Sequence, residues 1–196
     1  MDWVTIDFEA SCLPQHGRSY PIEVGISGPL GTSSWLIRPL PEWREWDWTD
    51  EAFALHGISR ERLDDEGLEP RIVVAEVRKA IGAARVIADS TIDTYWWQLL
   101  LGAAEPGIAT AAPLRIEHVG VLFDELGAIP EQILFAQRRA DRLSPERHRA
   151  GADSRWLFTL LATLSQQIAA DREEAAQTWP TDGTHDVPEP AVKARV

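Results

Sequence analysis

The first strand of this chain carries its strongest constraint. Residues 3–8 read Trp-Val-Thr-Ile-Asp-Phe, and Glu9-Ala10-Ser11 follow at once. An apolar strand thus presents two carboxylates one residue apart. Side chains alternate across a strand, so positions i and i+2 share a face. Asp7 and Glu9 therefore project together, while Ile6 and Phe8 point into the core. Two carboxylates on one face repel each other and cost stability unless a cation sits between them. The pattern points to a divalent metal site.

The rest of the chain must build a domain around that strand. Its 196 residues suffice for one domain with a sizeable core. We expect a single domain over residues 1–176, followed at 177–196 by a disordered, acidic, Pro-containing tail that can bury little surface. The apolar fraction of 44% is ordinary for a globular protein. No apolar run is long enough to cross a membrane, and an acidic first strand does not read as a signal peptide. Cys12 is the sole cysteine, which excludes an internal disulfide and a multi-cysteine zinc site. A cytoplasmic location is the simplest expectation. The net charge of −12 argues against a broad phosphate-binding surface. From Asp171 onward the net is −3, so the remainder still carries −9. A nucleic-acid partner must then be short, or held by metal ions and local contacts.

Alternation and turn residues give further strands over 22–27 and 34–38, joined by Gly28-Pro29-Leu30-Gly31-Thr32 into an antiparallel meander. A helix starts at Thr49-Asp50-Glu51 and ends at Gly57. Apolar periodicity predicts helices over 70–84, 93–101, 130–143 and 153–176. Residues 85–88 form a short buried strand, and 115–119 either a fifth strand or the opening of the next helix. This order implies an α/β mixed sheet with helices on both faces.

Two more segments bear on the carboxylates. In Val86-Ile87-Ala88-Asp89-Ser90-Thr91-Ile92-Asp93, a buried strand ends, turns and starts a helix. Sites gather at such strand ends. Asp93 falls in the first helical turn, where an acid also serves as a cap; Asp89 competes for the same role. In His148-Arg149-Ala150-Gly151-Ala152-Asp153, a histidine stands on the loop before a helix that opens with an aspartate. Histidine near neutral pH can take a proton from water; read alone, the segment is also a helix cap beside a surface histidine.

Taken in order, Asp7-x-Glu9, a middle aspartate and His148-x4-Asp153 resemble the DEDDh 3′–5′ exonucleases, the DnaQ-like branch of the RNase H-like fold. Pro21-Ile22-Glu23-Val24-Gly25-Ile26 resembles that family's second strand, Leu55-His56-Gly57-Ile58 its His-Gly-Ile segment, and His148-Arg149-Ala150 its His-Arg-Ala. The resemblance covers residues 3–164. It departs around the middle acid, where Asp89-Ser90 replaces a His-Asn pair and Ile92-Asp93 replaces Phe-Asp. Asp93 matches the family aspartate because Trp96-Trp97-x-Leu99-Leu100 fits the helix that follows; Asp89 is the other candidate.

The resemblance implies an RNase H-like mixed five-stranded sheet flanked by helices on both faces. It implies a 3′–5′ exonuclease that removes 5′-mononucleotides from the 3′ ends of single-stranded RNA or short oligonucleotides, with DNA also open. Asp7, Glu9, Asp93 and Asp153 would hold two Mg²⁺ or Mn²⁺ ions, and His148 would be the general base. Oxygen donors suit these hard ions, and two such ions clamp the attacking and leaving oxygens of an in-line displacement. Phe8, Ala10, Ser11, Leu55 and His56 would line the terminal nucleotide, although Phe8 also fits the core and His56 also fits a helix end. The partners implied are a single-stranded 3′ end or the nucleoside monophosphate product, with no membrane, and a homodimer is compatible with this kind of enzyme. A binding module without catalysis on the same fold is the alternative. Trp43, Trp46 and Trp48 interleave with Arg44 and offer stacking surfaces, but packing of their loop is the favoured reading. The run 137–142, rich in arginine, reads as an exposed helix face more readily than as a phosphate guide.

Overall fold

The computed structural model describes residues 2–104 and 114–178. Five strands form one mixed sheet: β1 (Trp3–Ala10), β2 (Pro21–Gly28), β3 (Gly31–Leu36), β4 (Arg85–Ala88) and β5 (Ile116–His118). The spatial order is β3-β2-β1-β4-β5. The first three strands are antiparallel, whereas β4 runs parallel to both β1 and β5. Among the described residues, seven α-helices accompany them: α1 (Asp50–His56), α2 (Arg60–Glu66), α3 (Pro70–Ile81), α4 (Ile92–Ala104), α5 (Val119–Leu126), α6 (Pro130–Leu143) and α7 (Ala150–Thr178).

Strand alternation sorts the core into two layers. Val4, Ile6 and Phe8 of β1, with Ile22, Val24 and Ile26 of β2, pack against Val73, Val74 and Val77 of α3 and Trp96, Trp97 and Leu100 of α4. Trp3 and Ile87 face the other way and meet Leu157, Leu160, Leu161 and Leu164 of α7. Each such side chain stabilises the fold by roughly 1.5–3 kcal/mol when fully buried. Ala136 and Ala140 of α6, both fully buried, let that helix lie close on α7.

Several boundaries differ from the sequence expectation, each for a local reason. β3 begins at Gly31, three residues early, because Gly28 pairs with Gly31 across a two-residue turn. Gly31 adopts φ 116°, open to glycine alone. The helix expected over 70–84 stops at Ile81, because Gly82 turns left-handed at φ 57°. α2 went unforeseen: its one buried apolar residue is Leu63, and its signal is the Ser59 cap, whose hydroxyl accepts from Arg62 N–H. Residues 115–119 divide between β5 and α5, where His118 Nδ1 accepts from Gly120 N–H and caps the helix. Within the irregular segment 39–48, Pro41–Glu45 forms a short 3-10 helix. α7 starts at Ala150 rather than at 153, and it runs to Thr178, so the tail expected from 177 begins as helix. The remainder of that tail lies outside the described residues.

Candidate active site

The parallel pairing of β1 and β4 brings the acids together. Trp3 lies beside Arg85, Val4 beside Val86 and Thr5 beside Ile87. Both strands therefore end at the same sheet edge, and the β4–α4 turn and the first turn of α4 carry Asp89 and Asp93 close enough to act electrostatically on Asp7. Carboxyl ends of strands at such an edge are where α/β folds build sites.

The fourth acid arrives from the opposite layer. Asp7 pairs with Gly25 and Glu9 with Glu23 across β1 and β2. A Cβ on Gly25 would lie 2.2 Å from the Ala150 carbonyl carbon, so only glycine lets the first turn of α7 rest on the sheet there. Thr5 Oγ1 donates to Ser154 O at 2.6 Å, and Ser27 Oγ meets Ser154 Oγ at 3.1 Å. Glu23 clamps the same turn: its buried carboxylate accepts from Arg149 Nε (2.9 Å), Arg149 NH2 (2.7 Å) and Ala150 N–H (3.1 Å). Seated in this way, α7 brings Asp153 to Asp7 and Glu9, and one oxygen from each of the three lies within 4.8 Å of the others.

The acids share one electrostatic signature. Burial raises Asp7 well above the usual carboxylate range, and Asp93, Glu9, Asp153 and Asp89 add to the effect in that order. Glu9 is pushed up to about 8, first by desolvation and then by Asp153. Asp93 also reaches about 8 through burial and Asp89, although backbone hydrogen bonds oppose the rise. Its side chain is 1% exposed and its Oδ2 makes no hydrogen bond. Asp89 is exposed at the rim, and partial desolvation and Asp153 still raise it. Asp93 acts on Asp7 more strongly than Asp89 does.

These residues fit a divalent cation. Oxygens of Asp7, Glu9 and Asp153 converge, Asp93 lies outside that group but keeps a buried carboxylate oxygen without a hydrogen bond, and the raised values mark negative charge that lacks a counter-charge. Asp153 is held in place by His148 N–H, which donates to Oδ2 at 2.7 Å, and by Arg147 Nε, which donates to Oδ1. His148 stands on the exposed loop before α7 in a left-handed conformation, φ 62°.

A cavity of about 230 Å³ opens beside Glu9, lined by Phe8, Ala10, Leu13, Leu55, His56 and Trp96 among others. The β1–β2 register shifts between Glu9 and Ala10, both of which line this cavity. Four of the five residues expected at a terminal nucleotide line it. Ser11 does not: it is fully buried, its Oγ accepts from Tyr20 N–H, and its carbonyl accepts from Thr49 N–H. His56 ends α1, accepts from Ile58 N–H through Nδ1, and leaves Nε2 unpaired. Burial, then Arg149, lowers its pKa to about 4, so it is neutral at pH 7. The tryptophans pack: Trp43 is buried against Tyr20 at 5.7 Å, Arg18 covers Trp46 and Arg60 covers Trp48. Cys12 is buried as well.

Sequence reading missed Leu13 and Trp96 in the cavity, and the Glu23–Arg149 clamp. An acid inside the apolar run Pro-Ile-Glu-Val-Gly-Ile was the available signal for the clamp.

No protein-family model matches this chain, and no curated protein does. Solved structures do. One is a 3′-exonuclease in 3′-end specific recognition of a histone mRNA stem-loop: 14% identity, 84% of this chain, 63% of that one, TM-score 0.56. A second is the nuclease domain of 3′hExo, a DEDDh family member bound to rAMP: 18% identity, 84% and 91% coverage, TM-score 0.55. The chain shares its fold with these structures. A third is E. coli Exonuclease I with a dT13 oligonucleotide, at 12% identity and TM-score 0.55, where this chain spans 43% of the structure's length. Among the described residues, no helix is long and apolar enough to cross a membrane.

Proposed function

We propose that this protein is a metal-dependent 3′–5′ exonuclease that releases 5′-mononucleotides from the 3′ ends of single-stranded RNA or short oligonucleotides, with DNA left open as a substrate. The observation that carries the reading is the junction of two features: three carboxylates within 4.8 Å of one another, and a cavity that shares Glu9 with them. The cavity is smaller than the roughly 300–1,000 Å³ of drug-sized ligand sites, so it suits one flat terminal group. Phe8, Trp96 and Leu55 supply apolar walls, and neutral His56 stands among them.

Asp7, Glu9, Asp93 and Asp153 would hold two divalent ions, Mg²⁺ or Mn²⁺. Such ions would supply Lewis-acid stabilisation of the charge that develops on the phosphate. Asp93 fits the middle position better than Asp89, because its unpaired oxygen is buried and its charge acts on Asp7 more strongly. His148 would take the proton of the attacking water, a role that its exposure and its place beside Asp153 support. The Glu23–Arg149 clamp and the seat on Gly25 would hold His148 and Asp153 in register with β1.

The test is release of 5′-mononucleotides from 5′-labelled RNA and DNA oligomers with Mn²⁺ or Mg²⁺, beside an Asp7→Ala control. A one-nucleotide ladder that vanishes in the control is the expected result. No product from any substrate with either metal would sink the catalytic reading and leave the binding module.

A further inference from the structure

The acid cluster is joined by direct contacts to a cationic surface on α6. Arg147, bonded to Asp153, lays its guanidinium 4.4 Å from the centre of the Trp156 ring. Trp156 Nε1 donates to Asp141 Oδ1 of α6 at 2.8 Å. Asp141 in turn lines a surface cleft with Phe135, Arg138 and Arg142.

Helical spacing explains that face. Ala136 and Ala140 turn α6 onto α7, which leaves Phe135, Arg138, Arg139 and Arg142 at i, i+3, i+4 and i+7 on the outer side. All four are exposed, Phe135 at 47%. The three arginines form no ion pair with any described residue. Several other arginines, Arg44, Arg62, Arg71, Arg85 and Arg155 among them, are each matched by a carboxylate. In a chain of net charge −12, three cations within five residues of one helix, beside an exposed aromatic ring, are a local concentration of positive charge.

We propose that Arg147, Trp156 and the outer face of α6 form the track for the single strand on the 5′ side of the nucleotide being removed. The proposal rests on the function given above and names where that substrate runs. Arg138 and Arg142 would meet successive backbone phosphates, and Phe135 would stack an unpaired base. Stacking on an aromatic beside cations is the usual grip on single strands and is tolerant of sequence. Asp141 keeps its charge in the same cleft, where Arg138 and Arg142 outnumber it, and the Trp156 indole fixes the place of its carboxylate.

The experiment measures binding of a fluorescent dT12 or rU12 by anisotropy in EDTA at several salt concentrations, together with kcat/KM on the same twelve-mer and on a dinucleotide in Mn²⁺. The variants are Arg138→Glu with Arg142→Glu, and Phe135→Ser. These positions are exposed, so folding should survive. Arg71→Glu with Lys79→Glu on α3, across the sheet, controls for the charge change. We expect the arginine pair to weaken twelve-mer binding at least tenfold and to lower the slope of log K against log salt by ~1.4, since each single-strand phosphate contact contributes ~0.7. The advantage of the twelve-mer over the dinucleotide in kcat/KM should collapse by a similar factor, and the control pair should stay within twofold. Equal affinity and slope in wild type and variants would overturn the track, as would a wild type that does not bind the twelve-mer. Absence of hydrolysis by wild type counts against the exonuclease reading instead, and the anisotropy still decides the track.

Discussion

Gly25→Ala tests the way the site is assembled. The new Cβ would meet Ala150 C and O at 2.2 Å, against an ordinary contact of 3.4 Å or more. The first turn of α7 must then retreat by ~1.2 Å, the difference between those distances. Both atoms are backbone, so no side-chain rotation relieves the clash. Overpacking of this kind costs about 1–3 kcal/mol, which for a chain of this size lowers Tm by roughly 2–12 °C. Asp153 moves with the turn, away from Asp7 and Glu9, and a misplacement of about 1 Å in a reacting constellation can cost ~10²-fold in rate. The assay pairs thermal melting and Mn²⁺ affinity by calorimetry with hydrolysis of a labelled oligomer. Weaker Mn²⁺ binding, a lower Tm and a rate loss near a hundredfold are expected together. Wild-type metal affinity with an unchanged Tm would refute the argument, because the seat of α7 on Gly25 would then not fix Asp153.

Other expectations follow from the same site. Without divalent ions, Glu9 and Asp93 hold protons up to about pH 8 in the fold but release them near 4.5 and 3.8 when unfolded. The folded form therefore binds more protons in that window, and stability falls as pH rises from ~4 to ~8. Saturating Mn²⁺ should abolish that fall; melts in EDTA that climb steadily from pH 5 to pH 8 would contradict it. Asp93→Asn removes a buried acid and should raise the metal-free Tm at pH 8, yet cut hydrolysis at least a hundredfold. A lower Tm with intact hydrolysis would mean that Asp93 only caps α4. His148→Ala should lower kcat by ~10²–10⁴ if it serves as the base and leave Mn²⁺ affinity nearly intact, since its backbone N–H, not its ring, holds Asp153. An unchanged kcat would remove it from the chemistry.

Much of the sheet was legible because its strands alternate or lie wholly buried. Residues 85–88 and 130–143 match β4 and α6 residue for residue, since Gly82 and Pro130 mark their limits. α2 was not legible: seven residues with one buried apolar side chain give no period, and tertiary contact through Leu63 decides the matter. For the site, Asp7 and Glu9 could be read from strand alternation alone. Asp153 could not, since its place depends on a long-range contact between Gly25 and Ala150 that no local pattern encodes. Ser11 is expected at the terminal nucleotide from its place beside Glu9; in the structure it is fully buried and ties β1 to Tyr20 and to Thr49, the cap of α1.

Net charge misleads most about partners, because the field a phosphate feels is local. Screening limits an exposed charge to about 8 Å in physiological salt, so an acid on α2 says little about a site on α7. Many of this chain's charges also cancel in place, in exposed pairs such as Arg44–Asp64 and Arg62–Glu66, which contribute little to stability or to any distant potential. Among the charges without an ion pair to a described residue are Asp7, Glu9 and Asp93 at the site and Arg138, Arg139 and Arg142 on α6, with the Arg147–Trp156 contact between the two sets. A cation at the first set would turn an anion-repelling pocket into an anion-binding one, and the second set already attracts. An acidic protein can therefore hold a polyanion along one short line while the rest of its surface repels it, which confines binding to a strand end that reaches the acids.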